Sequence, residues 1–219
     1  MTWFDVRQVI ADQTWLDGCQ ESLQPFHDML SGAGIERGLV GPREADRLWD
    51  RHLLNCAAPA APSLQLVPHG ALVADVGTGA GLPGLVWAIV RPDARIVLVE
   101  PLQRRTEFLE WAVATLGLAE RVVVVRGRAQ DVDPLEADVV TSRAVAALGQ
   151  LLGWCWPHVR KGGEVLAIKG GKAATEVSEA RETITQLDAG QAEVVRIVTD
   201  GSSDTSLATL VRIPREGVA

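Results

Sequence analysis

Apolar residues recur at two different periods along this chain, and the change from one to the other near residue 71 divides it. Up to residue 56 the spacing is helical: Val6, Val9 and Ile10, then Leu16, Leu23, Phe26 and Leu30, with breaks at Ser31-Gly-Ala-Gly34 and Gly38-Leu-Val-Gly-Pro42. Pro42 suits the first position of a further helix, which carries Leu48, Trp49, Leu53 and Leu54 until the Ala/Pro-rich run 57–63 ends it. Residues 1–56 therefore read as a helical cap. From Ala71 onward short β-rich runs alternate with helical ones. Leu72, Val73, Ala74 and Val76 read as a buried strand, and Leu82, Leu85, Val86, Ile89 and Val90 recur at helical spacing behind it. The alternation continues with a strand at 96–99, a helix at 103–117, strands at 121–125 and 137–141, a helix near 147–156, a strand at 164–168 and a helix near 174–187. This order predicts an α/β fold with a doubly wound, mostly parallel sheet. Two last β-rich runs, 192–198 and 206–213, flank the polar turn Asp200-Gly-Ser-Ser-Asp204 and predict a terminal antiparallel hairpin. The core then spans 57–219 and forms one compact unit with the cap. No internal repeat or low-complexity tract interrupts it.

Composition narrows the class. With 219 residues, 47% of them hydrophobic, the chain can build one sizeable core but not two ordinary enzyme domains. No apolar run approaches the roughly 20 residues that span a bilayer, and the N-terminus lacks a basic stretch followed by an apolar one. A cytoplasmic protein without membrane attachment is expected. Cys19, Cys56 and Cys155 are odd in number and show no ligand spacing, so neither a disulfide framework nor a metal site is predicted, and each reads as a small buried hydrophobe. The formal net charge of −7 argues against a general polyanion binder, so any nucleic-acid contact must be local.

The chemistry concentrates in Asp75-Val-Gly-Thr-Gly-Ala-Gly-Leu-Pro-Gly84, an acid at the end of a strand followed by four closely spaced glycines. Glycine there permits unusual backbone angles and lets a ligand approach the main chain. Gly79, Gly81 and Gly84 also fit the dinucleotide fingerprint, but a carboxylate at Asp75 would repel a pyrophosphate, whereas S-adenosylmethionine offers an ammonium and a sulfonium. Glu100, ending the next strand, suits the two hydroxyls of a ribose. Generic alternatives are a glycine-rich corner and a salt-bridged surface acid. Three polar clusters follow at successive strand ends. Arg104 and Arg105 sit in the first turn of a helix, where positive charge opposes the macrodipole, so either a substrate phosphate or a nearby Glu107, Glu110 or Asp131 should compensate them. Thr141-Ser-Arg143-Ala144 and Lys169-Gly-Gly-Lys172 place further basic groups at the crevice, or on a plain solvated surface.

Two absences matter as well. There is no Asn/Asp-Pro-Pro-aromatic sequence of the kind used on exocyclic amines of bases, and Cys155, in Trp154-Cys-Trp156, falls mid-helix as packing, not as a nucleophile. Guanine N7 is already a lone-pair nucleophile and needs positioning, not a base.

Arg51-His-Leu-Leu-Asn55, the glycine motif, Arg104-Arg105 ahead of Phe108-Leu109, Arg128, Ser142-Arg143-Ala144 and Lys169-Gly170 stand in one order over nearly the whole chain. In this the chain resembles the bacterial small-subunit ribosomal RNA guanine-N7 methyltransferases, the glucose-inhibited division protein B family. The glycine motif alone is weakly specific; its occurrence with the flanking motifs is strongly so. The resemblance implies a class I, Rossmann-like methyltransferase fold, S-adenosylmethionine as donor, and N7 of the guanine at position 527 of 16S rRNA as target. It implies that Asp75, Gly77, Thr78, Gly79, Gly81, Leu82, Glu100, Ala129, Gln130 and Arg143 hold the donor, with Asp75 at its amino-acid end and Ala129 and Gln130 at its adenine. Arg104, Arg105, Arg128, Arg143 and Lys169 are assigned to RNA phosphate or guanine, with Arg143 and then Lys169 as the catalytic candidates and Arg143 at the O6 edge because arginine suits that acceptor; Lys172, further along its loop, joins the substrate-binding residues, as does His52, which resembles a family position near the cofactor. The expected partner is 16S rRNA within a 30S subunit or assembly intermediate, bound by a monomer. Two other classes remain open at this stage: a small-molecule methyltransferase, and a non-catalytic ribosome-binding factor that retains the fold.

Overall fold

The computed structural model describes residues 3–200 and 206–217. Within them, β1 (Asp5–Ile10), β2 (Leu72–Val76), β3 (Arg95–Glu100), β4 (Val122–Arg126), β5 (Ala137–Arg143), β6 (Val159–Lys169), β7 (Glu193–Val198) and β8 (Ala208–Pro214) form one sheet in the order β1-β7-β8-β6-β5-β2-β3-β4. Every pairing is parallel except those of β8, which runs antiparallel to both β6 and β7. The sheet is covered on both faces, and its alternation shows how. Val73, Val139 and Leu166 face a core shared with α1 (Gln13–Met29), α2 (Asn55–Ala57), α3 (Gly84–Val90) and α4 (Gln103–Thr115). Their neighbours Ala74, Val140 and Ala167 face α5 (Leu148–Cys155), α6 (Ala173–Glu179) and α7 (Arg181–Gln186) on the other side. This is the doubly wound, mostly parallel α/β architecture that the strand and helix order predicts, including the terminal hairpin, and the class I fold that the resemblance implies; the connecting turn, Asp200–204, lies largely outside the described residues.

The expected helix through Val6, Val9 and Ile10 is instead β1. Its six residues pair in parallel register with β7, from Asp5 against Glu193 to Ile10 against Val198, and an Arg7–Glu193 ion pair adds to the backbone bonds. The two side chains that suggested a helical core face, Val6 and Ile10, are more than half exposed. Unpaired backbone groups on the edge of β7 outweigh a weak periodicity when only residues 5–11 separate the buried Phe4 from Asp12, whose carboxylate caps α1 by accepting from the Trp15 N–H.

From α1 onward the cap is helical as expected, with Leu16, Leu23, Phe26 and Leu30 buried. The segment after Pro42 is a chain of short turns and not one helix: a 3-10 turn at Pro42–Arg47, wider π turns at Leu48–Leu54, α2, and another 3-10 turn at Ala58–Ala60. Pro59 and Pro62 lack the N–H that a longer helix would need. Two contacts dock this cap on the core, and a third fixes the segment that follows it. The Trp87 indole donates to the Cys56 carbonyl (2.7 Å), Asn55 Nδ2 donates to the Leu207 carbonyl (2.9 Å), and the buried Arg91 guanidinium donates to Val67 and Pro68 carbonyls while forking onto Asp93. The predicted helix at 174–187 divides at Ala180 into α6 and α7. None of the helices among the described residues is long and apolar enough to cross a membrane.

In this order β2 lies between β3 and β5: the chain runs outward from β2 through β3 to β4 and then crosses back to β5 on the other side of β2, which opens a crevice at the carboxyl end of β2. The functional side chains collect there.

Candidate active site

The floor of the crevice is the turn after β2. Gly77 and Gly79 adopt φ of +70° and +62°, and a Cβ added at Gly77 would come within 2.9 Å of Val145 Cγ2. At Gly79 the nearest heavy atoms to such a Cβ stand 3.9 Å away, so the space beside it belongs to the cavity and not to the protein. Asp75 closes the turn from beneath. Its Oδ2 accepts from the Gly84 N–H at 2.7 Å, while its Oδ1 and the Thr78 hydroxyl are buried without a hydrogen-bond partner. Asp75 thus braces the glycine loop and does not line the cavity.

That brace carries a charge at a cost. Burial pushes the Asp75 carboxyl up to about 6, with the nearby Thr78 hydroxyl and the Gly84 N–H pulling the other way. Between the ordinary carboxylate value near 4 and about 6, the folded protein holds a proton that the unfolded chain has released, so stability falls as pH rises through that window. Above it the penalty is complete. Asparagine can accept from Gly84 and donate to Thr78 without charge, so Asp75→Asn should stabilise the ligand-free protein by roughly 2 kcal/mol at pH 7.5. The gain should shrink toward zero by about pH 4, and melting temperatures measured across that range would show it. Equal melting temperatures at all pH values would mean that the buried charge carries no penalty.

Glu100 walls the cavity at the end of β3. Only 1% exposed, it accepts from the Gly79 N–H (Oε2, 3.0 Å) and the Leu102 N–H (Oε1, 3.0 Å), and Arg105 Nη1 stands 3.5 Å from Oε2. Arg105 is thereby paired with Glu100 and not with the three acids named from the sequence. Ala129 and Gln130 form the opposite rim with Gly127 and Arg128, and the buried His158 holds that rim by donating from Nε2 to the Ala129 carbonyl (2.9 Å). The cavity measures about 800 Å³, and Gly77, Thr78, Gly79, Leu82 and Glu100 line it. A glycine cradle open toward the cavity and a buried acid at its wall fit S-adenosylmethionine.

Arg143, at the end of β5, lines this cavity and an adjoining cleft of about 730 Å³. Its Nη2 lies 3.0 Å from His52 Nδ1, its Nη1 donates to the Arg51 carbonyl at 3.4 Å, and His52 Nε2 lies 2.8 Å from Glu44 Oε2. The Ser142 hydroxyl donates to the Val76 carbonyl (2.7 Å), tying β5 to the glycine turn. His52 and Arg143, 91 residues apart in sequence, therefore meet at the mouth.

The remaining basic residues divide. Lys169 lines only the adjoining cleft, and its ammonium is held by the Ala146 carbonyl (2.7 Å) and Glu176 (2.8 Å), with the side chain 6% exposed. It anchors the loop after Arg143 where a free cation was expected. Arg104 and Arg128 are exposed, Arg128 lining the donor cavity and Arg104 reaching toward Gly38. Lys172 is exposed and lines neither cavity. Glu44, Leu39, Val40 and Trp154 also line the donor cavity, and none of them was assigned to it from the sequence. All three cysteines are buried, and burial pushes the Cys19 and Cys56 thiols up to about 12, which leaves them inert as nucleophiles. No group of three His, Cys, Asp or Glu side chains among the described residues is placed to hold a metal ion.

Comparison with known proteins agrees with this geometry. Residues 19–205 match the family model described as rRNA small subunit methyltransferase G. A protein of Kineococcus radiotolerans named ribosomal RNA small subunit methyltransferase G is 48% identical over 87% of this chain and 73% of its own length. Proteins of the same name from Salinispora tropica (54% identical over 77% of this chain and 71% of theirs) and Thermobifida fusca (48% over 87% and 78%) are equally similar. Among solved structures, a SAM-dependent O-methyltransferase from Thermotoga maritima aligns with a TM-score of 0.54 over 72% of this chain and 63% of that one, at 19% identity. The complex of M. jannaschii TYW2 with AdoMet aligns at 0.55 over 73% and 74%, at 14% identity, a likeness of fold alone.

Proposed function

Because the chain belongs to the rRNA small subunit methyltransferase G family, we propose that it transfers a methyl group from S-adenosylmethionine to N7 of the guanine at position 527 of 16S rRNA. The observation that carries this reading is the placement of Arg143, which borders both the glycine-floored cavity and the second, partly basic cleft beside it. Bound S-adenosylmethionine supplies a methyl group on a positive sulfur, which is electrophilic without further activation. The protein's own residues then have positioning tasks. The loop 77–79 admits the donor's close approach, Glu100 accepts from ribose hydroxyls, and the rim at Ala129 and Gln130 meets the adenine. Arg143 presents N–H donors that suit the O6 acceptor of guanine, and contact there would set the ring so that its free N7 lone pair faces the methyl. No base is required, since N7 carries no proton. The gain comes from holding two reactants in line.

In this reading residues 1–56 and 57–219 work as one unit, because Glu44 and His52 come from the first stretch and Arg143 from the second. The protein acts as a cytoplasmic monomer on 16S rRNA within a 30S subunit or assembly intermediate, and the exposed Arg104, Arg128 and Lys172 steer the RNA while the net charge of −7 limits non-specific binding. Arg104→Ala should accordingly weaken RNA binding and flatten its salt dependence by about one unit of slope, as expected for one lost phosphate contact. An unchanged slope would remove Arg104 from the interface.

The decisive experiment follows labelled methyl from donor to 30S subunits, to naked 16S rRNA and to a panel of metabolites, and then maps the modified base. Label confined to N7 of that one guanine is the expected result. Label on a metabolite would establish the small-molecule reading, and donor binding with no transfer to any acceptor the non-catalytic one.

A further inference from the structure

Taking as its premise the reading that Arg143 meets the RNA, we propose that Glu44 is a positioning residue for Arg143 and acts on it through His52. The argument is one of donors and acceptors. A guanidinium has only donors, so the 3.0 Å contact between Arg143 Nη2 and His52 Nδ1 requires a lone pair on Nδ1. In the neutral ring the hydrogen then sits on Nε2, and Glu44 Oε2 receives it at 2.8 Å. Without Glu44 the ring is free to carry its hydrogen on Nδ1, where it would oppose the guanidinium. The carboxylate therefore selects the one tautomer that can hold Arg143.

The charges around the ring keep it in that state. Glu44, Arg51 and Arg143 all face it. Burial is the main influence lowering the His52 pKa, Arg143 and Arg51 add to it, and Glu44 opposes. The hydrogen bond from His52 in turn keeps Glu44 below the ordinary carboxylate range, so it stays charged. Arg51 closes the loop: its guanidinium stands 3.3 Å from Glu44 Oε1, and its backbone carbonyl accepts from Arg143. Of the five N–H donors of Arg143, two are committed to this frame, leaving three for a ligand. The frame stands where the two cavities meet, with Glu44, His52 and Arg143 lining both.

Two measurements test the relay. With histidine labelled at its ring nitrogens, the chain gives four imidazoles, and His52→Gln identifies the one in question. In the parent, His52 should show hydrogen on Nε2 and a lone pair on Nδ1. Glu44→Ala should mix the two tautomers and move the His52 titration midpoint downward, whereas Arg143→Ala should move it upward. Methyl transfer to 30S subunits should fall about tenfold in kcat for Glu44→Ala, with the KM for S-adenosylmethionine within about twofold of the parent. Glu44→Gln, whose amide oxygen can still accept from Nε2–H, should recover at least a third of the parent kcat. A hydrogen on Nδ1 of His52 in the parent overturns the relay, as does a parent-like kcat in Glu44→Ala or an equal loss in Glu44→Gln. The spectroscopic result is read without RNA, so it supports or overturns the relay even where rRNA proves not to be the substrate.

Discussion

Gly79→Val should fold as the parent does and bind S-adenosylmethionine at least 100-fold more weakly. Gly79 has φ +62°, and a β-branched residue in that conformation costs on the order of 2 kcal/mol, well below the stability of an ordinary domain. Nothing in the protein stands in the way, since the nearest atoms to an added Cβ are Arg105 Nη1 and the Gly77 carbonyl oxygen, both 3.9 Å away. The added methyl groups enter the cavity itself. They would also press on the Gly79 N–H bond to Glu100, the wall assigned to the ribose. Calorimetric titration with S-adenosylhomocysteine, beside a thermal melt, measures both halves of this expectation. Parent-like affinity in a folded variant would place the donor somewhere other than over this loop. Gly84 makes an instructive contrast: a Cβ there would meet Leu98 Cδ2 at 2.3 Å and Asp75 Oδ2 at 2.8 Å, so substitution there disturbs packing before it disturbs binding.

Arg143→Ala should lower methyl transfer to 30S subunits by a factor of about 100 or more while leaving S-adenosylhomocysteine affinity within about threefold. A preorganised hydrogen-bond donor aimed at a reacting group is worth roughly 2.7–4 kcal/mol when its removal is measured in an oxyanion hole, and that range corresponds to this loss. Donor affinity should survive because the donor's principal contacts in this reading are the glycine loop, Glu100 and the rim at Ala129, none of which touches the Arg143 guanidinium. A parallel collapse of transfer and donor binding would move Arg143 wholly into the donor site. Lys169 no longer belongs beside Arg143 in such an experiment. Its ammonium is spent on Ala146 and Glu176, so its removal acts first on the loop that follows Arg143.

Much of this molecule was legible along the chain. The change of period near residue 71 marked the onset of alternating strands and helices, and seven of the strands fall where the apolar runs predicted them, with β6 beginning earlier at Val159. The glycine loop was equally plain, because a strand, a tight turn and a helix within a dozen residues leave little choice of backbone. β1 escaped detection for a definite reason. Its attachment is through backbone bonds to β7, an element nearly 190 residues away, and backbone bonds leave no trace in side-chain periodicity.

Sequence by itself thus determined what depends on near neighbours: which segments beyond residue 71 become strands and helices, where the chain must turn on glycine, and which strand ends carry charge. Tertiary structure alone decided with whom each charge is paired. Arg105 could have met Glu107, Glu110 or Asp131 and meets Glu100; Lys169 could have faced solvent and is bound by Glu176; Glu44 gave no signal and holds His52. Alternative ion pairs differ by about 1 kcal/mol or less at a surface, so local sequence cannot rank them. Packing of the cap against the sheet can, because it brings Glu44 and His52 onto Arg143 and removes the water that would otherwise serve each of them equally well.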